Sequence, residues 1–449
     1  MAQHKAWWGC DGSGHYPEPP RPTRRAMLSG TAAALAVWAG SHSALAGVTM
    51  GSATAGKDTG PPHVLVVLFL RGGADGLSLV PPYGEDAYHR LRPTIGLASP
   101  TDKKASVSAR SLELDGFFGL HPSLAPLQPL FADGTLAIVH AVGSSDESLS
   151  HFEAMAAMES GLPDAASSNG WLARYLAAAP PQNPSPLRGL AFGPGLPDSL
   201  RGASNAVALE SLEEFRLTPS ANPMANALAM LYAGADGDPL HDDPVRRAGR
   251  ETLHVLDVLR RLDPSHYKPE RGAAYPQSDL GAGFRQIACL IKARVGMEAA
   301  CLDHRGPYLW DTHVAQPNVF PAQAADLAQA LAAFAQDMGS EGLQNVTVIA
   351  MTEFGRRVQE NSGLGTDHGH GSVLFALGGP VRGGRVYGKW PGLEPHQLAS
   401  PGDLRITTDY RHVLSEIIQG IHGPKFPTRS IFSGLVSPGS LGLVRAVAG

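Results

Sequence analysis

Five short segments gather side chains that can hold a cation or move a proton. The densest is Thr366-Asp367-His368-Gly369-His370-Gly371, one carboxylate and two imidazoles in four residues. Nitrogen and oxygen ligands of this kind suit a hard-to-borderline divalent cation. His368 and His370 are two apart, so an extended backbone would send both rings to one face. Glycines on each side let another group approach the backbone closely. Upstream, Glu353 lies in Met351-Thr352-Glu353-Phe354-Gly355-Arg356. A second pair, Asp311 and His313, lies in Trp310-Asp311-Thr312-His313. Asp75 closes the run Arg71-Gly72-Gly73-Ala74-Asp75, and Ser150-His151 precedes an alanine- and methionine-rich stretch. Each has a plainer reading. The histidines can belong to a surface turn, Asp75-Gly76 to a turn, and Ser150 to a helix N-cap.

The elements that must position these groups follow from hydrophobic patterning. Continuous apolar runs at 63–70, 135–142, 187–192, 297–302, 346–350 and 373–377 read as strands buried on both faces. Between them, helical periodicity predicts helices at 123–131, 152–160, 170–176, 226–232, 243–262, 278–295, 322–338 and 410–421. Residues 81–122 read as a long covering loop. This alternation predicts an α/β fold with a largely parallel central sheet flanked by helices. Each chemical segment follows or borders a predicted strand, and open α/β sheets place their sites at the carboxyl ends of strands. One shared pocket is therefore expected for Asp75, Ser150, Asp311, Glu353 and His368.

The chain has 449 residues, 43% of them hydrophobic, and a net charge of −5 with acid and base interspersed. That supports a real core and argues against nucleic acid as a partner. Arg24-Arg25 precedes a mildly apolar stretch and an Ala44-Leu45-Ala46 cleavage pattern, which predicts a twin-arginine signal peptide over 1–46. The stretch is too short and too weakly apolar for a membrane span. Residues 47–60 read as a linker and 61–449 as one domain. The expected location is periplasmic or secreted, and the expected first partner is the twin-arginine export machinery. Folded export would let a cofactor be loaded in the cytoplasm. Cys289 and Cys301 can form a disulfide or remain two buried thiols.

Together these motifs resemble a large, mostly bacterial family of unknown function, exported by the twin-arginine route and regarded as a distant branch of the alkaline phosphatase and sulfatase superfamily. The resemblance rests on Leu70-Arg71-Gly72-Gly73-Ala74-Asp75-Gly76-Leu77, Ser150-His151-Phe152 with Met158-Glu159-Ser160-Gly161, Trp310-Asp311-Thr312-His313, Thr352-Glu353-Phe354-Gly355-Arg356, Thr366 to Gly371, and Thr408-Asp409-Tyr410-Arg411. It implies an alkaline phosphatase-like fold and divalent metal ions (zinc, magnesium, manganese or calcium). It also implies a nucleophile at Ser150 or His151, with Arg356 on the substrate anion. Asp311, His313 and His368 or His370 would hold one ion, with Asp367 beside them. Asp75 and Glu353 would form a more oxygen-rich half. Phe354 stands where the superfamily carries a histidine.

The function expected on this basis is an exported metal-dependent hydrolase of small phosphate or sulfate esters. The alternative is a catalytically degenerate periplasmic binding or assembly protein on the same fold. A serine hydrolase triad is disfavoured, because the chain lacks G-x-S-x-G. Export gives the first test. Changing Arg24 and Arg25 together to lysine should leave the precursor inside the cell, and normal periplasmic accumulation of that variant would refute the export reading.

Overall fold

A computed structural model describes residues 62–162, 169–181, 185, 187–213, 227–228, 230–232, 243–262, 264–306, 309–436 and 439–445. The expected signal peptide with Arg24, Arg25 and Ala44-Leu45-Ala46, the 47–60 linker and Asn226 of an expected helix lie outside the described residues.

The apolar runs form strands because their side chains can be buried on both faces. All seven residues of β1 (Val64–Leu70) are buried. Then come β2 (Leu112–Glu113), β3 (Gly119–Leu120), β4 (Leu136–Gly143), β5 (Gly189–Phe192), β6 (Ala206–Leu209), β7 (Ala299–His304), β8 (Val346–Met351), β9 (Ser372–Gly378), β10 (Val386–Tyr387) and β11 (Thr408–Asp409). β2 and β3 form a small antiparallel ribbon. The others form one nine-stranded sheet in the order β10-β4-β9-β8-β1-β7-β5-β6, with β11 also on β4. β1 lies parallel to both β7 and β8. Only β9 runs against its neighbours, β4 and β8. The protein is thus mixed α/β with a large, mostly parallel sheet and flanking helices.

One reversed strand has a direct consequence for the site. Since β9 opposes both β4 and β8, those two run the same way. The carboxyl ends of β1, β4, β7 and β8, and the amino end of β9, therefore meet at one edge of the sheet. The loops carrying Asp75, His151, Asp311, Glu353 and His368 all leave from that edge.

Helices cover both faces. Among the longer ones are α1 (His151–Ser160), α2 (Trp171–Ala178), α3 (Pro244–Leu262), α4 (Asp279–Lys292), α5 (Gln316–Leu343) and α6 (Tyr410–His422). Val64, Val66 and Leu68 of β1 pack in one core with Phe284 and Ile287 of α4 and Leu327, Leu331 and Phe334 of α5. The alternate residues Leu65, Val67 and Phe69 pack in another with Trp171 and Tyr175 of α2 and Val413, Leu414 and Ile417 of α6. This alternation is the two-residue period of a strand.

Several expectations change in detail. α5 is longer than the predicted 322–338 and holds a break at Gly339, where φ is 65°. The predicted helix at 123–131 is a 3-10 segment, Pro122–Leu127, followed by a short helix, because prolines interrupt it. The predicted loop 81–122 contains the helix Asp86–Leu91 and the β2–β3 ribbon. Cys289 and Cys301 are both buried and unbonded.

Two glycines let the site loops close on one another. Gly72 has φ +116°, and a Cβ there would lie 2.7 Å from Asp311 N and 2.8 Å from Trp310 N. At Gly355 a Cβ would lie 1.8 Å from Gly371 O. Both obstacles are backbone, which cannot swing aside. Gly72→Ala should therefore lower stability by more than about 1 kcal/mol. It should also displace Asp311. An unchanged midpoint of denaturant unfolding would contradict this.

Candidate metal centre

The centre is built from loops that are far apart in sequence. His151 is the first residue of α1, which follows β4. Asp311 and His313 lie between β7 and α5. His368 makes an isolated antiparallel bridge with Arg356 just before β9. One ring nitrogen each of His151 and His368 and a carboxylate oxygen of Asp311 lie within 4.8 Å of one another. His313 joins them. Its Nε2 is 2.9 Å from His368 Nε2 and 3.1 Å from Asp311 Oδ1, and His368 Nε2 is 3.2 Å from the same oxygen. Ligands about 2.0–2.1 Å from a tetrahedral zinc stand roughly 3.3 Å from each other. The three atoms form a triangle of nearly that size.

The other ring nitrogens fix the tautomers. His368 Nδ1 donates to Leu149 O at 2.8 Å. His313 Nδ1 donates to Asp367 Oδ1 at 3.1 Å, and His151 Nδ1 to Glu353 Oε1 at 2.8 Å. In the neutral rings the lone pairs of His313 and His368 Nε2 then face each other beside Asp311 Oδ1, and that of His151 Nε2 faces Asp311 Oδ2. Two lone pairs at 2.9 Å beside a carboxylate repel unless a cation sits among them, either a proton or a metal ion. His151 Nε2 makes the case sharper. It is buried, has no hydrogen-bond partner and ends 3.5 Å from Asp311 Oδ2. Carboxylate or carbonyl groups behind each imidazole are the usual support of histidine metal ligands. The donor set therefore fits a divalent ion held by nitrogen and one carboxylate.

Residues 63–416 match a family described as "Protein of unknown function (DUF1501)". The chain belongs to the DUF1501 family. No curated protein and no solved structure matches it.

Within this DUF1501 chain the expected site residues divide. Asp311, His313, His368, Glu353 and Asp367 come together, with Glu353 and Asp367 behind the rings. Glu353 is fully engaged: Oε1 accepts from Gly72 N and His151, and Oε2 from Thr352 Oγ1. His151 stands with the candidate ligands, so of the two expected nucleophile positions only Ser150 is left outside the cluster. Ser150 is the exposed N-cap of α1 and makes no capping bond with its side chain. His370 is separated from His368. The backbone bends at His370 instead of continuing extended, and its Nδ1 donates to the buried Asp403 at 2.6 Å. The one-face expectation for these two rings fails for that reason.

Asp75 and Arg356 do not take the places expected of them. Asp75 is buried, and its two oxygens accept from Arg92, Ser78 and Gln316, the Arg92 bonds being 2.6 and 3.0 Å. A guanidinium sits where a second cation would have to bind. Arg356 is buried and donates to the carbonyls of Gly72, Gly73, Trp310 and Thr366 and to Asp311 Oδ1. Its side chain is fully buried, which keeps it from a substrate anion in the open site. Its neighbour Arg357 is only partly buried; its Nε is covered and lies 3.8 Å from Asp403 Oδ1. Nothing in the local sequence separates the two arginines. Only their opposite placement about the bridge at Arg356 does so. Asn361 was also missed. It holds His313 O and Asp367 Oδ1 with its amide nitrogen, and Gly363 N and Gly365 N with its oxygen.

Charge at the centre is strongly coupled. Burial opposes ionisation of Asp311, but His151, His368 and Arg356 outweigh it and hold the carboxyl well below the ordinary range. Asp311 first, and Glu353 next, raise the His151 imidazole to about 9. In metal-free protein a raised histidine contributes stability that is complete below its unfolded pKa and lost as pH climbs to the folded one. Chelator-treated protein should therefore lose thermal stability between about pH 6.5 and 9. His151→Gln should flatten that slope. A metal ion replaces the proton, so added metal should restore stability most at the alkaline end. A slope identical in wild type and His151→Gln would remove His151 from the centre.

Proposed function

We propose that this protein is an exported metal-dependent hydrolase of small anionic esters, phosphate or sulfate, and that it works with a single cation. One observation carries the reading: three imidazole Nε2 atoms converge on Asp311, one of them buried without a partner, at a site whose other members reach solvent. Acid and imidazole groups at the carboxyl edge of a mostly parallel sheet also support kinship with the alkaline phosphatase and sulfatase fold.

His151, His313, His368 and Asp311 would hold the ion. When bound, it would polarise an ester oxygen and lower the pKa of a water or hydroxyl beside it. The chain's own groups do the rest. Glu353, Asp367 and Leu149 O keep each imidazole in the tautomer that binds. Arg356 fixes Asp311 and takes no part in substrate binding. Arg357, whose amide donates to Asp367 O at 2.9 Å, is the nearby partly exposed guanidinium, and it would have to share its charge between Asp403, 3.8 Å from its Nε, and an anionic oxygen. Ser150, one residue before His151 at a helix start, would act as nucleophile, with the N–H groups of the helix end favouring its ionised form.

A second reading has its own support. Arg92 on Asp75 removes the second cation site, which fits a member that kept the metal and the fold but serves as a binding or assembly protein. Elemental analysis after loading and dialysis should find one divalent ion per chain in wild type and much less in His313→Ala, whose melting temperature should no longer respond to chelator. Loaded wild type should hydrolyse aryl phosphate or sulfate esters, and Ser150→Ala should abolish turnover while keeping the metal. Metal without turnover favours the second reading. No metal under any loading condition excludes both.

A further inference from the structure

The strand that leads to Ser150 and His151 ends irregularly. β4 carries a bulge between His140 and Val142, where Ala141 has φ +53°, a left-handed conformation unfavourable for a residue with a Cβ. Its N–H donates to His140 Nδ1 at 2.9 Å and its carbonyl accepts from Thr407 N at 2.9 Å, so the exit of the strand is pinned. The far end is pinned as well. Ala154 N donates to Ser150 O at 2.9 Å, which opens α1.

Between these anchors the chain is tied to little. The segment reads Ser144-Ser145-Asp146-Glu147-Ser148-Leu149. Among the described residues, none of its backbone groups bonds to another backbone group. It holds its own shape: Asp146 N donates to Ser144 Oγ at 3.1 Å, Ser148 N to Asp146 Oδ1 at 2.8 Å and Ser150 N to Ser148 Oγ at 3.2 Å. Local side-chain bonds of this kind shape a turn without fastening it to a core.

Two imidazoles reach the segment from elsewhere, and both belong to Asp367-His368-Gly369-His370. His368 Nδ1 donates to Leu149 O at 2.8 Å. His370 is held from behind by the buried Asp403. It lies close enough to Glu147 for that residue's carboxylate and backbone to favour its protonated ring, after Asp403, which favours it most. The two rings part at the centre but close on the same segment. The His368 bond depends on where the ring carries its proton. When Nε2 binds an ion, the one proton stays on Nδ1 and points at Leu149 O. In metal-free protein the proton can sit on Nε2, 3.2 Å from Asp311 Oδ1, and Nδ1 then turns a lone pair on the carbonyl.

We propose that residues 144–150 form a strap latched by the metal centre, with His368 as the latch and His370, braced by Asp403, as a positioning residue beside it. The proposal rests on the metal-centre reading above. It adds that loading the ion closes the segment leading to Ser150 and His151.

The test uses the full chain, loaded with zinc or manganese or treated with chelator, and a serine protease that cleaves after glutamate. Glu147 is exposed within the strap. Fragment masses give the rate at each site, and elemental analysis gives the metal content. Loading should slow cleavage after Glu147 by about fivefold, the worth of one hydrogen bond, while other glutamates keep their rates. His370→Gln, which keeps an N–H for Asp403, should speed cleavage after Glu147 in loaded protein while metal content stays at the wild-type value. Hydrogen exchange at the amides of 144–150 in wild type, with and without metal, should show the same protection and needs no variant. Equal cleavage and exchange with and without bound metal would overturn the strap and leave the centre standing. Slowing at every glutamate alike would also overturn it, since metal would then stabilise the whole fold. Unaltered cleavage in His370→Gln would overturn the role of His370. No bound metal under any loading condition would overturn the strap together with the centre it rests on.

Discussion

The guanidinium of Arg356 is the interaction on which the carboxyl edge of the sheet depends. It is buried beneath the centre and donates to four backbone carbonyls from three separate loops and to the Asp311 carboxylate. A buried charge is tolerated only when paired and fully hydrogen-bonded. Here the pairing is also the assembly. Gly72 and Gly73 come from the end of β1, Trp310 and Asp311 from the loop after β7, and Thr366 from the segment before β9. No two of these loops are neighbours in sequence, yet one side chain fixes their separations. Losing one partner of such a charge typically costs about 3–5 kcal/mol, so the loops cannot drift independently.

The candidate metal centre inherits its precision from that anchor. Asp311 Oδ1 is held by Arg356 at 2.6 Å on one side and faces His313 and His368 on the other. The imidazoles are held from behind by groups that cannot move far: Glu353 at the end of β8, Asp367 tied by Asn361, and the carbonyl of Leu149. Beside this open centre lies a closed one. Asp75 and Arg92 neutralise each other in a buried network with Ser78 and Gln316. Burial would raise the Asp75 carboxyl, but Arg92 above all holds it below the ordinary range. An edge that could have carried two cations therefore carries a permanent organic cation on one side and a donor set fit for a metal on the other.

Much of this was legible in the sequence. The six continuous apolar runs became sheet strands, since a run buried on both faces has few alternatives. The segments containing Asp311-His313 and Asp367-His368 were marked by residue type, and their common edge followed from strands feeding loops. The misses have physical causes. β6, β10 and β11 have at most four residues each, too few to show a period. Asp75 looked like a ligand because its partner, Arg92, lies in a segment that reads as loop. His370 looked equivalent to His368 because one bend in the backbone is not written in residue types. Arg356 and Arg357 are adjacent, and only tertiary placement decides which is spent inside and which faces out.

Anomalous X-ray diffraction from metal-soaked crystals, recorded at the zinc or manganese edge, tests the central claim most directly. The account requires a single strong peak bounded by His151, His313 and His368 Nε2 and an Asp311 oxygen, with ligand distances near 2.0–2.2 Å. It requires no peak at Asp75, where Arg92 remains in place. A peak on Asp75, two peaks of equal strength, or a centre in which His151 Nε2 turns away from the ion would contradict it.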